Sequence, residues 1–243
     1  MRDYLLDIVK HTKGVSNIEA VKVITNDETT TVEAKDDDNK VVVRARYKKP
    51  IPGLEGTFGL PNLSKLNVIL NIPEYKENAK ISVTTRDRNG EKEPFGMHFE
   101  NATGDFKNDF RFMQKELMEE KLASVRFKGA NWNVTLEPSS ASTQRFKFQS
   151  QANGEEVVFV AKTEGSDLKF YFGDDSGHTG NFVFQASVTG ELKQGWKYPI
   201  VEVLSILSLS GNITMQFSDM GAAMITVDNG LAVYEYILPA QSK

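Results

Sequence analysis

The sequence predicts an α+β protein of two similar domains, each with two helices packed on antiparallel sheets. Three observations carry this reading. Apolar and polar residues alternate over many short segments, the period of a half-buried strand. Turn signals built on Gly, Asn and Asp recur about every eight to twelve residues. A short helix followed by strands occurs about four times along the chain, and internal repetition is the strongest global signal of architecture. The clearest copy is C-terminal, where WKYPIVEVLSILSLSG, NITMQFSD, AAMITVD and GLAVYEYILP read as one helix and three strands.

In chain order, residues 2–13 form the first helix, with Leu5, Ile8 and Val9 inward and Lys10 and Lys13 on another face. Gly14 ends it. Strands follow at 18–25, 29–34, 40–47 and 55–59, with the acidic turn Asp36-Asp37-Asp38-Asn39 before the third. The second helix starts at Leu60-Pro61-Asn62 and runs to Leu70, Lys65 being its one cation, and Pro73 bars its continuation. Strands at 79–86, 94–100 and 106–113 are joined by turns at Asn89-Gly90 and Thr103-Gly104. Residues 114–130 are charged and irregular. They read as a connector, with a short helix at 114–122, between domains at 1–113 and 131–243.

The second half opens with a strand at 132–137. A third helix at 139–153 has Ala141, Phe146, Phe148 and Ala152 as its apolar residues, carries Arg145 and Lys147, and contains no acid. Strands at 157–162, 168–172 and 181–189 follow, and 192–197 leads into the fourth helix. Tyr198-Pro199 opens that helix, since proline is tolerated in a first turn. Ile200, Val203, Leu204 and Leu207 form its buried face, and Gly211 sits where a C-terminal cap belongs. Asn229-Gly230 marks the last hairpin turn.

Composition narrows the function. With 243 residues, 40% hydrophobic and 26% charged, the chain reads as an ordinary soluble globular protein. Its formal net charge of -4 argues against a simple nucleic-acid-binding module, so any DNA contact requires local segregation of charge. Cysteine is absent, which excludes disulfides, thiol catalysis and cysteine metal sites and leaves the redox compartment open, with a lean towards the cytosol. No apolar run approaches the roughly 20 residues needed to span a bilayer. The first segment, with Asp3 and Asp7, does not read as a signal peptide.

Motifs for catalysis are lacking. His11, His98 and His178 are far apart, and no HExxH, Gly-x-Ser-x-Gly or P-loop occurs. Gly173-Asp174-Asp175-Ser176-Gly177-His178 has the letters of a site, but Gly, Asp and Ser are also what a solvated turn requires. Asp36-Asp37-Asp38 lacks the spaced ligands and closing Glu of a calcium loop. The expectation is a protein that is not an enzyme and holds neither cofactor nor metal. The helices are more informative. Lys10, Lys13, Lys65, Arg145 and Lys147 lie on them and Lys193 and Lys197 flank the last, while acids concentrate in turns and connectors. Helices gathered on one surface would make that surface basic, able to meet phosphates without fixed base contacts.

This layout resembles the DNA polymerase sliding clamps, the processivity-factor family, and most of all the trimeric clamps of T-even-type phages. The similarity lies in four helix-plus-strands modules in two halves joined by a connector. It extends to the closing run Tyr234-Glu235-Tyr236-Ile237-Leu238-Pro239-Ala240, to Gly154-Glu155-Glu156-Val157-Val158-Phe159-Val160-Ala161-Lys162, and to the start directly on a helix. One departure is the fourth helix, which has no cation and includes Glu202.

The resemblance implies the DNA clamp fold and a role in DNA replication. Three two-domain subunits form a homotrimeric ring that encircles double-stranded DNA without sequence specificity. A clamp loader opens and closes the ring, which then tethers the replicative DNA polymerase. It implies a viral protein acting in the host cytoplasm. It places Lys10, Lys13, Lys65, Arg145 and Lys147 in the DNA-facing pore, with Lys193 and Lys197 at its edges. It assigns a partner-peptide pocket to Leu117, Val125, Phe127, Tyr236, Ile237, Leu238 and Pro239. It also points to 106–112 and 181–188 as the strands that join subunits. The alternatives are a β-rich structural component of a virus particle and, more weakly, a carbohydrate-binding protein using Trp132 and Trp196.

Overall fold

A computed structural model describes residues 1–88, 90–122, 127, 129–174 and 177–241. The chain divides into two compact units. The first comprises Met1–Asp37, Val43–Val125 and Gly230–Val233, and the second Asp38–Val42, Arg126–Asn229 and Tyr234–Lys243.

In the first unit, α1 (Arg2–His11) precedes β1 (Val21–Thr25), β2 (Thr30–Lys35), β3 (Val42–Tyr47) and β4 (Gly56–Leu60), which lie in the order β4-β1-β2-β3. Val23 of β1 stands opposite Val32 and Phe58 of its antiparallel neighbours. β1 and β2 bury every second residue, as their alternating sequences demand. Next come α2 (Leu63–Leu70), a 3-10 turn (Pro73–Tyr75) and the antiparallel meander β5 (Lys80–Arg88), β6 (Glu91–Glu100) and β7 (Lys107–Arg111). α3 (Lys115–Lys121) follows.

The second unit repeats the plan. After β8 (Val134–Leu136) and α4 (Ser140–Ala152) come β9 (Val158–Glu164), β10 (Asp167–Phe172), β11 (Gly180–Gln185) and β12 (Trp196–Pro199). Their order, β12-β9-β10-β11, matches that of β4-β1-β2-β3 strand for strand. Then α5 (Ile200–Leu207) leads into β13 (Asn212–Ser218), β14 (Ala222–Asp228) and β15 (Ala232–Pro239), with β8 pairing on β13. Each unit is thus helix, four strands with the fourth returned beside the first, helix, and three-strand meander.

The cores differ in chemistry. In the first unit, Leu5, Ile8 and Val9 of α1 and Leu63, Leu66 and Ile69 of α2 are buried with the valines of β1 and β2. Buried Tyr47 on β3 donates its hydroxyl to Asp7 of α1 at 2.8 Å, and the same carboxylate lies 3.2 Å from His11. The second unit is aromatic. Phe146 of α4 sits among Phe159 at 4.8 Å, Phe170 at 5.3 Å and Phe172 at 6.0 Å between ring centroids.

Three local readings of the sequence change. α1 ends at His11, where Thr12 is buried and its hydroxyl donates to Ile8 O at 2.7 Å, so Lys13 falls beyond the helix. Tyr198 and Pro199 do not begin α5. They pair with Phe159 and Val158 as the end of β12, and Pro199 becomes the N-cap. In α4 the apolar residues do not mark the inner face. Ala141, Phe148 and Ala152 share an exposed stripe with Arg145, and Phe148 is 59% exposed. The inner stripe is Ser142, Phe146, Gln149 and Asn153, mostly polar, with Phe146 its single large apolar side chain. At the β5–β6 turn Gly90 has φ 86°, while Asn89 lies outside the described residues.

Because Phe146 alone anchors α4 in the aromatic cluster, Phe146→Ala should cost about 3–5 kcal/mol. Chemical denaturation followed by circular dichroism measures this, and a cost below about 1 kcal/mol would show that α4 is held some other way.

Candidate nucleic-acid interface

Each unit carries one pair of packed helices, α1 with α2 and α4 with α5. The first pair runs antiparallel, since Arg2 at the start of α1 donates from Nε to Leu70 O at the end of α2, 2.8 Å away. A cation there also faces the negative end of the α2 dipole. Asn62 caps α2 from a left-handed conformation, φ 48°, accepting from Lys65 N–H at 2.9 Å. Asparagine is among the few residues that adopt this backbone readily. Capping leaves Lys65 exposed on α2, and Lys10 is exposed on α1.

Lys13 is engaged. Its ammonium pairs with Glu19, whose carboxylate also accepts from Ser64 Oγ at 3.0 Å in the first turn of α2. Glu19 therefore ties the end of α1 to the beginning of α2. The Lys13 ammonium, helped by Ser64, holds its carboxyl below the usual carboxylate range.

In the second pair, Arg145 is exposed but held. Its guanidinium donates to Val183 O of β11 at 3.1 Å and stands 5.3 Å from the Phe182 ring centroid. Lys147 is exposed and makes no ion pair among the described residues. α4 has no acid over its 13 residues. α5 brings no cation and exposes Val201. Lys193 and Lys197 are not on helices. Lys193 lies between β11 and β12, with its backbone N–H on Asp219 at 2.8 Å. Lys197 is half-buried in β12, opposite Val160. Lys10 and Lys65 thus share one helix pair, Arg145 and Lys147 share α4, and the remaining three cations occupy a turn, a loop and a strand.

Of the residues read as a peptide pocket, Leu117 is exposed on α3. The Phe127 ring lies 6.0 Å from that of Trp132. Tyr236, Ile237 and Leu238 are buried in β15 and Pro239 is exposed. Val125 lies outside the described residues. In the Gly173–His178 run, Gly177 N–H donates to Asp174 O at 3.2 Å, and Asp175 and Ser176 lie outside the described residues. Asp36 is buried and accepts from Ser16 Oγ at 3.2 Å. Among the described residues no group of three or more His, Cys, Asp or Glu could hold a metal. No described helix is long and apolar enough to cross a membrane.

β7 and β11 each end a sheet. The sequence reading missed a basic cleft beside β7, built on Arg86, Phe95 and Arg111. These residues are scattered over three strands, and only their outward alternation marked them.

The lowered pKa of Glu19 has a defined sign. The folded state favours the carboxylate, so its contribution is present above the ordinary value of 4.5 and is lost as pH falls through the lowered folded value. Its side chain is 43% exposed, so solvent screening keeps the contribution to no more than about 1 kcal/mol. Glu19→Gln should lower the unfolding midpoint at neutral pH, and the difference from the parent should close in acid. A gap of equal size at both pH values would contradict the Lys13–Glu19–Ser64 account.

No protein-family model matches the sequence, and no curated protein matches it. Solved structures do. PCNA of A. fulgidus, in a complex with the C-terminal region of FEN-1, superposes with a TM-score of 0.70 at 10% identity, covering 100% of this chain and 96% of that one. PCNA from Thermococcus kodakaraensis superposes with a TM-score of 0.63 at 11% identity, covering 99% and 97%. The likeness spans both repeats and every sheet, and the chain has the DNA clamp fold.

Proposed function

We propose that this protein is a DNA sliding clamp, a homotrimeric ring that encircles duplex DNA and tethers the replicative polymerase. The observation that carries the reading is α4. In a chain of net charge -4, on a fold shared with PCNA, one helix presents 13 residues without an acid and exposes Arg145 and Lys147. Lys10 and Lys65 add to this from α1 and α2. Lys13, Lys193 and Lys197 have places at the margins of the pore.

Sliding requires weak contacts that do not fix one register. Ammonium and guanidinium groups on flexible stems meet phosphates without reading bases, and the acidity of the remaining surface disfavours DNA elsewhere. Closure uses the sheet edges. Among the described strands β7 and β11 each pair on one side only, an edge that would otherwise be an aggregation liability, and pairing them head to tail between copies closes a ring. The domains of such a subunit are 1–113 and 131–243, linked by 114–130. A clamp loader would open it, as the sequence resemblance to phage-type trimeric clamps implies.

The C-terminal region of FEN-1 is bound to A. fulgidus PCNA. By analogy, Leu117, Val125, Phe127 and Tyr236–Pro239 are the proposed docking residues for a partner peptide of the polymerase. No observation favours the virus-particle alternative.

Light scattering after gel filtration should give a mass near three times 27.2 kDa at high concentration. Lys147→Glu should preserve that mass and weaken duplex binding, and adding Arg145→Glu should weaken binding further. The slope of log affinity against log salt should fall by about one for each phosphate that no longer meets a cation. Unaltered affinity and slope in the double variant would remove α4 from the DNA path.

A further inference from the structure

Beside β7, the first unit opens into a cleft of about 630 Å³. Phe58, Phe112 and Met118 supply apolar lining, and five cations face three carboxylates around it. A register shift between Thr84 and Thr85 of β5 accompanies the turn of Phe95 into this cleft. Next to it, Gly96 lets β6 and β7 approach, since a Cβ at that position would lie 2.5 Å from Phe110 O. The guanidinium groups of Arg86 and Arg111 stand 5.0 and 4.2 Å from the Phe95 ring centroid.

The two arginines differ in burial, and neither is engaged by a close carboxylate among the described residues. Arg86 reaches Glu93 only at 3.8 Å, and its Nε is buried with no hydrogen-bond partner. Arg111 makes no ion pair among the described residues. A guanidinium stacked on a ring keeps its edge N–H groups for an acceptor. A buried donor without an acceptor is costly and calls for one. The buried Nε of Arg86 and the exposed guanidinium of Arg111, flanking one ring, suit a carboxylate bound by charge-assisted hydrogen bonds.

The position of the cleft suggests where that carboxylate comes from. Arg111 is the last residue of β7, at a sheet edge. If β7 pairs antiparallel with β11 of another copy, residues after β7 lie beside residues before β11. The described residues between β10 and β11 include Asp174, which is exposed. We propose that Asp174 of one copy enters the Arg86–Phe95–Arg111 cleft of the next and acts as an ionic latch on ring closure. This rests on the ring reading given above and adds to it a specific, salt-sensitive contact between copies.

The test is self-association, measured by dilution and light scattering at low and high salt, for the parent, Arg111→Glu, Asp174→Lys and the double exchange. Each single change should weaken association by about tenfold or more at low salt, and the double exchange should restore much of it. The parent and Arg111→Glu should converge at high salt, where the attraction is screened. Thermal unfolding of each variant checks the fold, and Arg111→Gln or Asp174→Asn replaces any that fails. A ring that closes equally well in the single variants, or single effects that simply add in the double exchange, overturns the latch and leaves the ring reading intact. A parent chain that is monomeric at every concentration overturns both.

Discussion

A helix laid on an antiparallel sheet must bury one stripe, and in α4 that stripe is unusually thin. Phe146 provides nearly all its apolar anchorage, with Ser142, Gln149 and Asn153 filling the rest. A helix held by one aromatic side chain leaves almost its whole circumference to be chosen for other reasons. Here the outward residues include Arg145, Lys147, Gln144 and Gln151 beside Ala141, Phe148 and Ala152, without one acid. α5, by contrast, is held by Ile200, Val203 and Ile206 and offers no cation. The proposed DNA surface is therefore uneven, with α4 carrying more of it than its neighbour.

The second constraint is the pair of sheet ends. β7 ends the three-stranded sheet and β11 ends the four-stranded one. Arg145 lies where the two demands meet, since it belongs to the helix face yet donates to Val183 O on β11. A change at Arg145 thus touches both the proposed DNA surface and the proposed closing edge, whereas Lys147 reports on the DNA surface alone. The Arg86–Phe95–Arg111 cleft beside β7 makes the other edge basic. Complementary charge at two edges would select head-to-tail joining over like-with-like pairing.

Much of the fold was legible because period-two alternation survives where identity does not. β1, β2 and β14 bury every second residue just as their letters alternate. The likeness to PCNA at 10% identity is likewise one of layout. What stayed hidden depends on packing. The inner face of α4 could not be found from hydrophobicity, because Phe148 is exposed while Asn153 is buried. Lys13 looked like a helix cation until buried Thr12 stopped α1 short. Pro199 fitted a first turn, yet it ends β12 and only caps α5. The basic cleft is invisible in the sequence, since its residues meet only through the β5–β6–β7 register and the irregularity at Thr84 and Thr85.

The central claim is encirclement, and topology tests it most directly. The protein, cross-linked after incubation with a nicked circular duplex, should remain with the circle through gel filtration in high salt and be released when one restriction cut makes the duplex linear. Retention that is the same on circular and linear DNA would contradict a ring around the duplex.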